Sequence, residues 1–222
     1  MIRRACTVSL WLAAASAQAG GHFDVDDAGM LDPGRCQYEF WGTRVHSEHA
    51  TAWHLGPACR VGPVELGLNI DRISVPDDTV HALGPQLKWT FFGRGPEARW
   101  SAAVSMGFIS QLPRRGGRGG GQFVVPVTWR ATDSLMVHAN LGADWATGSG
   151  ARTGRGGLAG EWALNDTVSL IAERNRAFGL WTSRVGARVS ITPLISIDLS
   201  AARTGPGGVR SFSVGLNHEF GR

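Results

Sequence analysis

Ser211-Phe212-Ser213-Val214-Gly215-Leu216-Asn217-His218-Glu219-Phe220 decides the fold. Phe212, Val214, Leu216 and Phe220 fall on one parity, and Ser211, Ser213, Gly215, Asn217 and Glu219 fall on the other. Residues two apart share a face only in an extended chain, so this stretch reads as a strand with one apolar and one wet face. The same alternation lies upstream in Ile195, Ile197 and Leu199 against Ser196, Asp198 and Ser200. It recurs in Leu135 to Trp145, in Trp100 to Phe108 and in Val64 to Ile70. About twelve such segments begin near residues 36, 50, 63, 81, 99, 122, 135, 155, 167, 181, 194 and 209. A repeat of about 16 residues holds a roughly 10-residue tilted strand and its turn. Short connections such as Asn165-Asp166 and Thr192-Pro193 alternate with longer or glycine-rich ones such as Gln111 to Gly121. That order predicts an antiparallel up-and-down transmembrane β-barrel of about 12 strands, all-β, with both chain ends on the periplasmic side.

Composition removes the competing classes. Glycine is 31 of 222 residues and charged residues are 18%, against roughly 7% and 25% in ordinary domains. Neither a disordered chain nor a coiled coil has that profile. After residue 19 no apolar run approaches the roughly 20 residues of a membrane-spanning helix. The formal charge is +4, Lys88 is the sole lysine, and loss of Arg3 and Arg4 with a leader leaves +2. So small a surplus does not predict a nucleic-acid partner, even at a sequence pI of 9.6.

A soluble β-sandwich also alternates, and the parity opposite the apolar one separates the two folds. A solvated sandwich face carries many Lys and Glu, whereas here that parity is filled with Gly, Ser, Ala and isolated charges, which suits a crowded barrel lumen. Aromatic residues on the apolar parity gather near segment ends in two groups. Tyr38, Phe40, Trp89, Phe91, Trp100, Trp129, Trp162 and Phe220 form one; Phe108, Phe123, Trp145, Trp181 and Phe212 form the other. Two girdles are what the two interfaces of a bilayer select.

The beginning of the chain reads as an export signal. Arg3 and Arg4 precede an apolar core from Ala5 to Ala15 and an A-x-A site at Ala17-Gln18-Ala19. The expected division is residues 1–19 as a signal peptide cleaved after Ala19, 20–35 as a periplasmic lead-in, and 36–222 as the barrel in a bacterial outer membrane. Cys36 and Cys59 then remain in an oxidising compartment. A first hairpin turning between Ser47 and Glu48 sets Phe40 opposite Leu55 and Cys36 opposite Cys59, which predicts a cross-strand disulfide.

The inward parity carries Glu39, Glu65, Asp71, Lys88, Asp144, Glu161, Glu173, Arg184, Arg188, Asp198 and Glu219. Turns between Pro76 and Asp77 and at Pro193 set Glu65 opposite Lys88 and Arg188 opposite Asp198, and the intervening loop sets Glu173 opposite Arg184. Lumen charges need water or partners, so this pattern predicts either a polar passage for small solutes or a salt-bridged, occluded barrel of structural or surface-interaction use.

Other chemistry is weaker. His46, Glu48 and His49 at a hairpin tip, or Asp24, Asp26 and Asp27 in the lead-in, offer metal-binding side chains without the spacing of a known site. No cofactor is expected. Arg114, Arg115 and Arg118 among glycines predict an outer loop whose guanidiniums could meet lipopolysaccharide phosphates. A membrane-embedded hydrolase built on His138, His218 and a serine is the third reading, with no G-x-S-x-G to support it.

The stretches Phe23-Asp24-Val25-Asp26-Asp27-Ala28-Gly29 and Pro33-Gly34-Arg35-Cys36-Gln37-Tyr38-Glu39-Phe40-Trp41 resemble the opening of outer-membrane proteins grouped with the MetA pathway of phenol degradation. Leu83 to Trp89, His138 to Gly142 and Ile171 to Glu173 are similar too. The resemblance implies an outer-membrane β-barrel transporter inserted by the barrel-assembly machinery, surrounded by outer-membrane lipid, with no catalytic residues to carry over.

Overall fold

The computed structural model describes residues 22–46, 49–95, 97–112, 119–147 and 149–221. Twelve strands follow one another: β1 (Arg35–Val45), β2 (Ala50–Val61), β3 (Val64–Val75), β4 (Asp78–Phe92), β5 (Trp100–Gln111), β6 (Gly119–Arg130), β7 (Leu135–Ala146), β8 (Arg152–Ala163), β9 (Val168–Ala177), β10 (Leu180–Thr192), β11 (Ile195–Thr204) and β12 (Val209–Gly221). Each pairs antiparallel with its sequence neighbours, and β1 closes the sheet against β12. The barrel read from the alternation is the barrel observed. Closure leaves no free strand edge, which a sheet facing lipid requires.

The faces divide as the parity divides. Phe40, Leu68, Ile70, Leu141, Leu158, Val185, Phe212 and Val214 stand exposed on the outside, and an apolar surface of this extent is the signature of a lipid-facing wall. Trp100 and Trp129 are paired across β5 and β6 and stack at 5.5 Å near the rim that carries the chain ends. Trp53 lies over Gly42, its partner across β1 and β2; a Cβ at Gly42 would come within 2.6 Å of the indole.

The connections differ from the expected alternation of short and long. Val75 and Asp78 are joined by Pro76-Asp77 alone, and β9 turns into β10 through Phe178-Gly179. Both central residues of that second turn have positive φ, 48° and 83°, the geometry of a two-residue primed turn that matches strand twist. The strands simply run on past the point where turn-forming residues begin, so those outer connections are hairpins rather than loops.

Cys36 and Cys59 stand opposite each other and form a disulfide that ties β1 to β2. Both cysteines of unreduced protein should therefore resist thiol labelling, and replacing both by Ala should lower stability by about 3 kcal/mol in the chain-entropy picture. Quantitative labelling of the two thiols without reductant would contradict the bridge.

Candidate functional site

Residues 22–34, expected as a periplasmic lead-in, do not stand clear of the barrel. The segment lies inside the lumen, with His22, Val25, Asp27, Ala28 and Leu31 buried. The reason is a matching of polar groups. A segment without secondary structure carries unpaired backbone N–H and C=O groups, and inside a barrel only side chains of the wall or water can satisfy them. The wall does so, strand by strand. Glu173 of β9 accepts from the N–H of Asp24 at 3.0 Å and of Val25 at 2.9 Å. Asn140 of β7 accepts from Asp26 N–H at 2.8 Å and donates to its carbonyl at 2.7 Å, as a paired strand would. Thr128 of β6 accepts from Ala28 N–H, and Thr90 of β4 donates to the Ala28 carbonyl. Glu65 of β3 accepts from Leu31 N–H, and Arg60 of β2 donates to the Leu31 carbonyl.

Charge pairing follows the same path. Lys88 Nζ lies 2.8 Å from Asp26 Oδ1 and 3.3 Å from Asp27 Oδ1, with Glu65 directly opposite it in the β3–β4 register. Arg184 of β10 reaches Asp24 Oδ2 at 2.8 Å and Glu173 Oε1 at 3.0 Å. Asp26 and Asp27 thus converge on the Lys88 ammonium while Asp24 turns to Arg184, so the three carboxylates meet cations of the wall and do not share one point. At the buried end of the segment His22 Nε2 and Ser200 Oγ are 2.6 Å apart. Burial, reinforced by Arg184, holds the His22 imidazole down to about 4 and so uncharged at neutral pH. Its Nδ1 has no hydrogen-bond partner in the protein, so this Ser–His pair lacks the acid that would orient a hydrolytic triad.

Space for the segment comes from missing side chains. A Cβ on Gly157 would come within 2.7 Å of Val25, and one on Gly215 within 3.0 Å of His22. The glycines of the inward parity are therefore where the segment packs.

The remaining inward charges pair along the wall. Arg188 meets Asp198 through two bonds of 2.8 and 3.0 Å, and Asn217 also donates to Asp198. Arg155 reaches Asp144 at 2.6 Å, and Asp144 also accepts from Phe178 N–H. His54 and Asp71 are 2.6 Å apart, with Trp41 stacked on the imidazole at 3.6 Å. Glu161 lies 4.0 Å from His138 Nε2, both fully buried. Glu39 and Glu219 line the open part of the lumen. Arg114, Arg115, Arg118 and Glu48 lie outside the described residues, as do residues 1–19, expected as a leader.

Sequence reasoning missed the segment itself and with it Asn140, Thr128 and Thr90. It also missed His54, although the register across the Gly62-Pro63 turn sets His54 opposite Asp71.

Around the segment a cavity of about 1430 Å³ persists. Its lining runs from Asp166 and Pro193 at the terminal rim to Thr43 and His54 high in β1 and β2. Both signs of charge border it.

A family model described as "Uncharacterised conserved protein UCP029691" matches residues 7–203. Among solved structures the chain is similar to the KdgM porin, at TM-score 0.64 and 9% identity over 83% of this chain and 99% of that one. It is similar to the NanC porin at TM-score 0.56 and 14% identity, over 82% and 98%. The translocator domain of the autotransporter NalP from Neisseria meningitidis follows at TM-score 0.50 and 12% identity, over 86% and 89%. At such identities the likeness is one of fold. A comparison with curated proteins finds no significant match.

Lys88 balances three carboxylates, so Lys88→Met should leave Asp26, Asp27 and Glu65 facing one another in the lumen. Removing one partner of a buried charge cluster costs about 3–5 kcal/mol, which should release residues 22–34 while the closed wall persists. Limited proteolysis of the folded variant should cut within that segment; protection equal to that of the unaltered protein would show that Lys88 does not hold it.

Proposed function

The chain belongs to that uncharacterised conserved family, and we propose that it is a passive outer-membrane channel for small polar solutes, partly filled by its own N-terminal segment. The observation that carries the reading is the cavity of about 1430 Å³ that reaches from the terminal rim to the upper part of β1 and β2. Twelve strands lie between eight-stranded barrels, filled by side chains, and sixteen-stranded porins with an aqueous channel. A lumen of that size keeps room for solute beside one irregular segment. Acidic and basic groups both border the cavity, so it favours hydrated polar solutes over apolar ones.

Placement in the outer membrane, export by a leader cleaved after Ala19 and insertion by the barrel-assembly machinery belong to this proposal. The apolar exterior and the porin-like fold support them. The likeness of Phe23–Gly29 and Pro33–Trp41 to the MetA-pathway group supports a transporter reading, and that narrower kinship is likewise proposed. A second reading, a structural barrel with a closed lumen, is favoured by the bonds that fasten residues 22–31 across the lumen.

Purified, heat-modifiable protein reconstituted in planar bilayers separates the two. The channel reading expects discrete conductance steps from the unaltered chain. A correctly folded barrel that inserts and stays silent would overturn it in favour of the closed barrel.

A further inference from the structure

On the outside of the barrel the charges obey a rule of their own. Among the described residues, the outward parity of the strands carries no Asp or Glu, since the strand carboxylates lie on the inward parity. It does carry arginines, and all of them lie within three residues of a strand end at the rim opposite the chain termini. Four gather on one wall. Arg174 of β9 stands opposite Ser183 of β10, Ser183 opposite Arg203 of β11, and Arg203 opposite Arg210 of β12, with Arg176 above.

The pairing of Arg203 with Arg210 is the informative contact. Cross-strand partners have Cβ atoms about 5 Å apart, and like charges placed there destabilise a sheet. No carboxylate on that face relieves the repulsion, whereas an anion seated between the two guanidiniums would turn it into attraction. Phosphate suits the position, because a guanidinium can grip two of its oxygens at once. Arg174 also covers the Trp181 ring at 4.9 Å, and an indole at a strand end marks the headgroup level of a bilayer.

Immediately below the arginines, towards the middle of the wall, Gly160, Ala172, Val185 and Ala201 are successive cross-strand neighbours. Gly160, Ala172 and Ala201 leave a groove of about 670 Å³ around Val185 in the outer face, bordered above by Arg174, Arg203 and Arg210. Cations at headgroup depth over an apolar furrow at hydrocarbon depth fit one kind of molecule, an acylated lipid with a phosphorylated head.

We propose that the outer wall of β8 to β12 binds a phosphorylated, acylated glycolipid of the external leaflet, of the lipopolysaccharide type, with phosphate between Arg203 and Arg210 and an acyl chain along the Gly160–Ala201 furrow. None of Arg114, Arg115 and Arg118 enters the site as proposed. It rests on the outer-membrane placement proposed above.

The test uses full-length folded protein in detergent, with binding of bis-phosphorylated lipid A read by native mass spectrometry. One lipid A should bind, its fully dephosphorylated counterpart should bind at least about tenfold more weakly, and Arg203→Gln/Arg210→Gln should lose at least about tenfold in affinity. Arg72→Gln, on β3 across the barrel, should bind as the unaltered protein does. In the absence of lipid the double variant should unfold at the same or a higher temperature, because a repulsion is gone, and this shows that loss of binding is not loss of fold. Equal binding of the dephosphorylated lipid, or unchanged affinity in the double variant, would overturn the proposal. So would thermal protection by millimolar inorganic phosphate equal to that by lipid A, which would make the site one for a free anion. Failure of the channel reading would appear in conductance, and misplacement of the protein in membrane fractionation; neither enters this measurement.

Discussion

The lumen has to hold and pair the polar groups that a lipid-facing wall cannot carry on its outside, and the rest of the molecule answers to that constraint. A wall that faces lipid cannot hold carboxylates on its outside without a large desolvation cost, and the strands carry theirs inward. The inward face then needs cations and donors in compensating positions. Arg188 with Asp198, Arg155 with Asp144 and His54 with Asp71 meet the requirement within the wall. Lys88 and Arg184 also meet the aspartates of residues 22–31, and Glu65 and Glu173 accept from backbone N–H groups of that segment. The N-terminal segment is therefore part of the polar core.

This arrangement explains how the molecule can be both filled and porous. The segment is a single irregular stretch with bends at His22, Asp24, Val25 and Ala28, and it is fastened by side chains from β2, β3, β4, β6, β7, β9, β10 and β11 in turn. It crosses the lumen without filling it, and the cavity beside it keeps polar walls. Buried charge pairs add little net stability compared with a hydrophobic core, but they set position. On the outer face of the described strands the same logic runs with opposite sign: among the described residues carboxylates are absent and arginines sit at one rim, and the Arg203–Arg210 pair calls for an anion from the surroundings.

The wall was legible in the sequence because a barrel is local. Period-two alternation marks each strand, a short turn sets the register of the next, and the register in turn sets Cys36 opposite Cys59, Glu65 opposite Lys88 and Arg188 opposite Asp198. The N-terminal segment was not legible, because its partners are scattered from Arg60 to Ser200 and no local period marks an irregular stretch held by side chains. A trace of it was present. The inward parity is unusually rich in glycine, and Gly157 and Gly215 leave the gaps that Val25 and His22 occupy. Three aspartates shortly before the first strand, in a chain whose single lysine faces inward, were the matching half of that trace. The positions of the turns at Pro76-Asp77 and Phe178-Gly179 were legible in the same way, because they set Glu65 opposite Lys88 and Glu173 opposite Arg184; their tightness was not, because the strands run on through residues that look like loop residues.

The central claim, that residues 22–31 dock in the lumen along this path, is tested most directly by a covalent link between segment and wall. Val25→Cys with Gly157→Cys places a new thiol pair where a wall Cβ would come within 2.7 Å of the Val25 side chain, while Cys36 and Cys59 are already bridged. In folded protein the account predicts that the new pair oxidises rapidly and nearly completely, seen as a mass loss of two hydrogens and a linked peptide. Two free, readily labelled thiols in a barrel that has otherwise folded would place the segment elsewhere and contradict it.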